Sequence, residues 1–174
     1  MRGAALLLTV ALAGCASSSE GARKLPSGPV PLRYVAYDGG RRSLSALHGQ
    51  PVVVSMVATW AGAALIEVER LLEVRRETDG AFALVVLVLD DEPTTAAVFA
   101  DTFEIPELVG RVEDRARFEG EDGPFGPIAM VPTTVLLDAG GSIALRSDGP
   151  LPEGVLQEAL QKLAEAGRAG RRAR

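Results

Sequence analysis

This chain of 174 residues has almost none of the thiol and imidazole side chains that disulfide chemistry and closed zinc sites draw on: one cysteine, Cys15, and one histidine, His48. A single cysteine excludes an intrachain disulfide. A closed zinc site takes about four ligands, and His48, placed before Gly49 in a turn, reads as a solvent-exposed residue rather than a ligand. No metal and no cofactor are expected. Aromatic residues are scarce at 5%, so the core must be built from valine, leucine and alanine, which suits an α/β protein with a largely buried sheet. The formal net charge is −5, which argues against nucleic acid as a partner.

What is present begins with a secretion signal. Arg2 precedes an apolar stretch from Ala4 to Leu12, too short to span a bilayer, followed by small residues. The segment ends Leu12-Ala13-Gly14-Cys15, which resembles a bacterial lipobox. That resemblance implies cleavage before Cys15 and lipidation of its thiol and amino group, with stable membrane attachment. The alternative is ordinary cleavage after Ala13 with a free secreted thiol. The lipobox is favoured because the only cysteine stands where a lipobox requires it. Ala16, rather than an aspartate, then points to the outer membrane, and the expected location is the cell envelope, facing the periplasm. Residues 1–14 are therefore assigned to the signal and 15–31, rich in serine, glycine and proline, to the lipidated cysteine and a flexible tether. Residues 32–166 are assigned to one domain and 167–174, with Arg168, Arg171, Arg172 and Arg174, to a basic, solvated tail.

Within the domain the patterns alternate between strand and helix. Residues 32–37 read as a strand and Asp38-Gly39-Gly40 as a turn. The apolar run from Pro51 to Val57 reads as a buried strand. From Ala61 to Thr78 the spacing predicts a helix with Leu65, Val68, Leu71 and Leu72 inward. Its charged residues, Glu67 and Arg70 among them, are expected to face water, with Glu67 reaching Arg70 one turn on. Phe82 to Leu89 reads as a second buried strand. Its terminus, Asp90-Asp91-Glu92, reads as acids leading into the next helix rather than as a metal site, because adjacent side chains point apart. Thr94 to Phe103 is expected to be a short helix with Val98 and Phe99 inward, and residues 108–112 a short strand. Phe118 and Phe125 read as packing anchors in the polar segment that follows. Ala139-Gly140-Gly141 is expected to turn into an edge strand, and a last helix to bury Val155, Leu156, Ala159, Leu160 and Leu163.

Two stretches carry a resemblance. Ala58-Thr59-Trp60, between the first buried strand and the long helix, is similar to the start of the Ala-Thr-Trp-Cys-x-x-Cys motif of periplasmic thiol–disulfide oxidoreductases of the TlpA/ResA type. Val131-Pro132-Thr133-Thr134, followed by Leu137-Asp138, resembles the cis-proline strand of thioredoxin-like proteins. The resemblance implies a thioredoxin-like three-layer α/β/α sandwich with a central mixed sheet. It also implies that the residue before Pro132 faces the motif and offers backbone groups to a bound peptide. Here, however, Trp60 is followed by Ala61, Gly62, Ala63 and Ala64, with alanine at both cysteine positions. Disulfide exchange needs a thiolate. Thr59 has no histidine or lysine nearby in sequence to activate it, and Ser55 supplies no titratable group. The motif is a catalytic frame without its nucleophile, and no catalytic residue is assigned.

Three functions remain. The first is a redox-inactive, lipid-anchored module binding a protein or peptide through Trp60, Val131, Pro132 and Thr133. The second is an oxidoreductase by descent that acts only with a partner's thiols. The third is a structural envelope lipoprotein with a relic site. An exposed apolar patch around Trp60 would favour the first over the third.

Overall fold

A computed structural model describes residues 26–105 and 108–172. The expected lipidation site, Cys15, and the signal lie outside the described residues. The chain forms β1 (Arg33–Ala36), β2 (Arg41–Ser43), a 3-10 turn (Leu44–Leu47), β3 (Val52–Val57), α1 (Gly62–Glu77), β4 (Ala83–Val88) and α2 (Thr95–Thr102). Then follow β5 (Val109–Arg111), α3 (Arg115–Glu119), β6 (Thr133–Leu137), β7 (Ile143–Asp148) and α4 (Val155–Arg172). The strands make one mixed sheet in the order β2-β1-β5-β4-β3-β6-β7.

The hydrophobic runs explain the centre of this sheet. β3 and β4 are parallel, in register from Val52 opposite Ala83 to Val57 opposite Val88, and β3 is buried along its whole length. A parallel pair needs covered faces, which an uninterrupted valine run permits. Alternation along β3 sorts its side chains. Val53 and Val57 pack toward α1, α2 and α4, with Val68, Leu71, Phe99, Leu156 and Leu160. Val52, Val54 and Met56 pack on the other face, beneath Tyr34, Phe118 and Phe125. Phe118 and Phe125 meet edge to face, with centroids 5.9 Å apart, and are the packing anchors expected of them. In β5, Gly110 is the residue that lets Tyr34 cross: a Cβ there would lie 2.6 Å from the Tyr34 ring.

Four expectations are corrected. The end of the segment assigned as a tether is part of the fold: Pro29 bridges Ser142, the Val30 N–H donates to the Gly141 carbonyl at 2.9 Å, and Val30 is buried. Val98 is exposed, and α2 turns Ala96, Phe99 and Ala100 inward instead. That follows from its short length, since a two-turn helix presents one narrow face to the sheet. The last helix continues through Gly167 to Arg172, so Arg168 and Arg172 stand on a helix and not on a loose tail. Glu67, expected on the wet side of α1, is buried at 2% exposure.

Candidate functional site

β3 and β6 are antiparallel, with Met56 opposite Thr133, so the chain leaving β3 and the chain approaching β6 lie side by side at one pole of the sheet. The first carries Ala58 to Ala61 and the second carries Met130 to Pro132. The two stretches singled out in the sequence are thereby brought together. The Val131–Pro132 peptide bond is cis.

The turn after β3 is held by one carboxylate. Asp90, just past the end of the parallel neighbour β4, accepts the Thr59 N–H at 2.9 Å and the Thr59 hydroxyl at 2.6 Å. Thr59 is thus a positioning residue whose hydroxyl is already spent on a hydrogen bond. The other two acids of the run turn elsewhere: Asp91 pairs with Arg115 at 2.9 Å, and Glu92 accepts from the Thr94 hydroxyl at 3.1 Å. Among the described residues, no group of three His, Cys, Asp or Glu side chains is arranged to hold a metal ion.

After the turn, Ala61 is the N-cap of α1 and makes no side-chain capping bond. Ala64 is fully buried and Ala61 half-buried, while Gly62 and Ala63 are exposed. Trp60 stands out at 73% exposure, and Met130, across the pole, at 52%. Ile66, one turn beyond Gly62 on the same helix face, is also exposed. Of the residues expected to form a binding face, Val131 is half-buried, but Pro132 and Thr133 are buried. Pro132 and Thr133 support it from beneath, because Thr133 is already in the first rung of β6 and its hydroxyl donates to the Met130 carbonyl at 2.7 Å. Among the described residues, the Val131 N–H and C=O have no hydrogen-bond partner.

Below the motif lies a polar cluster of which sequence reasoning found only the Glu67–Arg70 pair. Thr134 Oγ1 donates to Glu67 Oε1 at 3.2 Å and lies 3.4 Å from Ser55 Oγ. The Leu151 N–H reaches both Glu67 oxygens, at 3.4 and 3.3 Å, and Arg70 Nη2 pairs with Glu67 Oε2 at 3.1 Å. Arg70 also donates to the Leu151 carbonyl. Burial pushes the Glu67 carboxyl above its ordinary range, opposed by Arg70, the Leu151 N–H and the Thr134 hydroxyl. An acid therefore sits beneath the motif, three residues after Ala64. The one available signal was that Glu67 falls between Ala64, Val68 and Leu71 on the inward arc of α1. The pole as a whole presents exposed Trp60 on one chain and exposed Met130, next to Val131, on the other. It offers no nucleophile at the two alanine positions.

A second buried charge organises the approach to the cis-proline. Arg146, at 5% side-chain exposure on β7, donates to the carbonyls of Phe125 and of Pro127, the latter at 2.7 Å, and pairs with Asp148 at 2.7 Å. No sequence pattern announced it.

No protein-family model matches this chain, and no curated protein is significantly similar to it. Solved structures are. A DsbF homologue from Corynebacterium diphtheriae superposes with a TM-score of 0.64 at 20% identity, over 77% of this chain and 85% of that one. A thiol:disulfide interchange protein of the thioredoxin family from Chlorobium tepidum gives 0.62 at 20% identity, over 82% and 99%. The exposed lipoprotein thioredoxin of Streptococcus pneumoniae gives 0.61 at 14% identity, over 76% and 98%. At such identities the likeness is one of architecture, and in architecture this chain is a thioredoxin-like fold of the kind found in thiol:disulfide oxidoreductases.

Proposed function

We propose that this protein is a lipid-anchored component of the cell envelope whose thioredoxin-like domain performs no thiol chemistry and binds an extended polypeptide at the Trp60–Met130–Val131 surface. The observation that carries the reading is the pairing of Trp60, 73% exposed, with an unpartnered Val131 backbone beside a motif that has lost both thiols. An exposed tryptophan and methionine at one pole of the sheet make a site that apolar side chains can cover, and the Val131 N–H and C=O, unpartnered among the described residues, can pair with a strand. The lipobox supports the anchor, as does the similarity in fold to a protein described as an exposed lipoprotein thioredoxin. Among the described residues no helix is long and apolar enough to cross a membrane, so attachment rests on Cys15.

The test is photo-crosslinking in envelope fractions, with a photoreactive residue at Ala63. One dominant protein adduct, lost on Trp60→Ala, is the expected result. Labelling no stronger than that of a photoreactive residue placed at exposed Val98 would overturn the binding reading. The anchor is tested separately: Cys15→Ser should move the protein from the membrane to the soluble envelope fraction.

A further inference from the structure

The pole opposite Trp60 has a character of its own. The β6–β7 turn lies there, because Leu137, at the end of β6, is opposite Val52, at the start of β3. The chain arriving from the N-terminal side joins the fold at the same place, through the Pro29–Ser142 bridge and the Val30–Gly141 hydrogen bond. α4 runs toward this pole: Leu160, Leu163 and Gly167 line one cavity of about 430 Å³ with Pro51, Ala81 and Gly140. Beyond Gly167 the helix projects past the sheet, and Arg168 and Arg172 are exposed and make no ion pair among the described residues. After Glu165 the sequence holds four arginines, Arg168, Arg171, Arg172 and Arg174, and no acid. The acids nearby are engaged or balanced. Asp138 accepts the N–H groups of Gly140 and Ser142, and Glu77 and Asp79 at the end of α1 follow Arg75 and Arg76.

We propose that this arginine-rich end of α4 is a membrane-docking site for anionic lipid headgroups, which turns the domain so that the Trp60 surface faces away from the bilayer. The proposal deepens the anchored reading above. Thirteen residues lie between Cys15 and Pro29, so the anchor can lie no more than about 50 Å from the pole at which the chain joins the fold. A basic face kept that close to a surface meets it at high effective concentration. Each arginine near an anionic surface strengthens binding about five-fold, so three of them supply on the order of a hundred-fold. β3 separates the two poles by roughly 20 Å, which places Trp60 on the far side. The alternative role for these arginines is to complement the C-terminal end of the helix dipole. It requires positive charge but no lipid.

The experiment uses residues 15–174 carrying Cys15→Ser, so that no acyl chain contributes, with vesicles of phosphatidylcholine with or without 40% phosphatidylglycerol. Binding is expected only to the anionic vesicles, and is expected to disappear at high salt. Arg168→Gln, Arg171→Gln and Arg172→Gln combined should lower it on the order of a hundred-fold, while the matching lysine variants should keep it within about three-fold, both with unchanged helical circular dichroism. Equal binding to both vesicles, or no loss in the glutamine variant, would overturn the site. A polyglutamate peptide bound as tightly as the vesicles would overturn lipid as the partner. Trp60 is the only tryptophan, so brominated lipids give the orientation: unquenched emission from bound protein is expected, and quenching would overturn it. Because the assay contains no lipidated cysteine, its outcome is independent of whether Cys15 is the anchor.

Discussion

Thr134 and Glu67 are 67 residues apart in sequence, yet the Thr134 hydroxyl donates to the Glu67 carboxylate at 3.2 Å in the buried layer between β6 and α1. Through Glu67 the cis-proline strand, the helix after the motif and the loop before α4 share one carboxylate. Removing that carboxylate leaves several buried donors without an acceptor. Glu67→Leu should therefore cost roughly 3 kcal/mol, measured by urea denaturation. Thr134→Val, which removes one neutral donor, should cost about 1 kcal/mol.

The same residue sets a pH dependence. Burial raises the Glu67 carboxyl above its ordinary value in the folded protein. The unfolded chain then releases its proton first as pH rises, so this group's contribution is fully present below the ordinary glutamate range, near 4.3. It declines as pH rises from there through the raised folded value. The stability difference between wild type and Glu67→Gln should shrink over that window. A difference that grew with pH in denaturation series from pH 4 to 8 would contradict the assigned direction.

Arg146 should be a structural residue of the cis-proline approach. Its guanidinium joins Phe125, Pro127 and Asp148 from an edge strand. Arg146→Met should destabilise the protein by about 3 kcal/mol, because it removes a buried guanidinium that donates to two carbonyls and pairs with a carboxylate. Hydrogen exchange should accelerate first in residues 120–131. Arg146→Lys should recover only part of the loss, because one ammonium cannot reproduce the planar fork.

Introducing two thiols tests the geometry of the motif. Ala61 and Ala64 flank the first turn of α1, with the Ala64 N–H donating to the Ala61 carbonyl at 2.8 Å. Ala61→Cys with Ala64→Cys should form an internal disulfide on mild oxidation. In the reduced protein the thiol at position 61 should be alkylated much faster than that at 64, since Ala64 is buried and Ala61 is not. Equal alkylation rates would place the helix start wrongly.

Trp60→Ala should separate binding from folding. A side chain this exposed contributes little packing, so stability should change by no more than about 0.5 kcal/mol, while capture at the Ala63 crosslinker should fall at least ten-fold.

The sequence alone determined the elements that local pattern encodes. The valine run of β3, the apolar run of β4, the turn glycines and the helical spacing of α1 and α4 are read from neighbours within a few residues, which is the range over which strand and helix periods act. It also showed that positions 61 and 64 are alanine, a fact no fold can alter. Tertiary structure decided what depends on partners distant in the chain. Glu67 is inward because Thr134 and the Leu151 N–H await it there, and Thr59 is committed because Asp90 ends the neighbouring parallel strand. Pro132 is buried because β6 begins immediately after it. The separation of the Trp60 pole from the arginine pole follows from the direction in which β3 and α4 cross the sheet, and direction is a property of packed elements, not of any one stretch of residues.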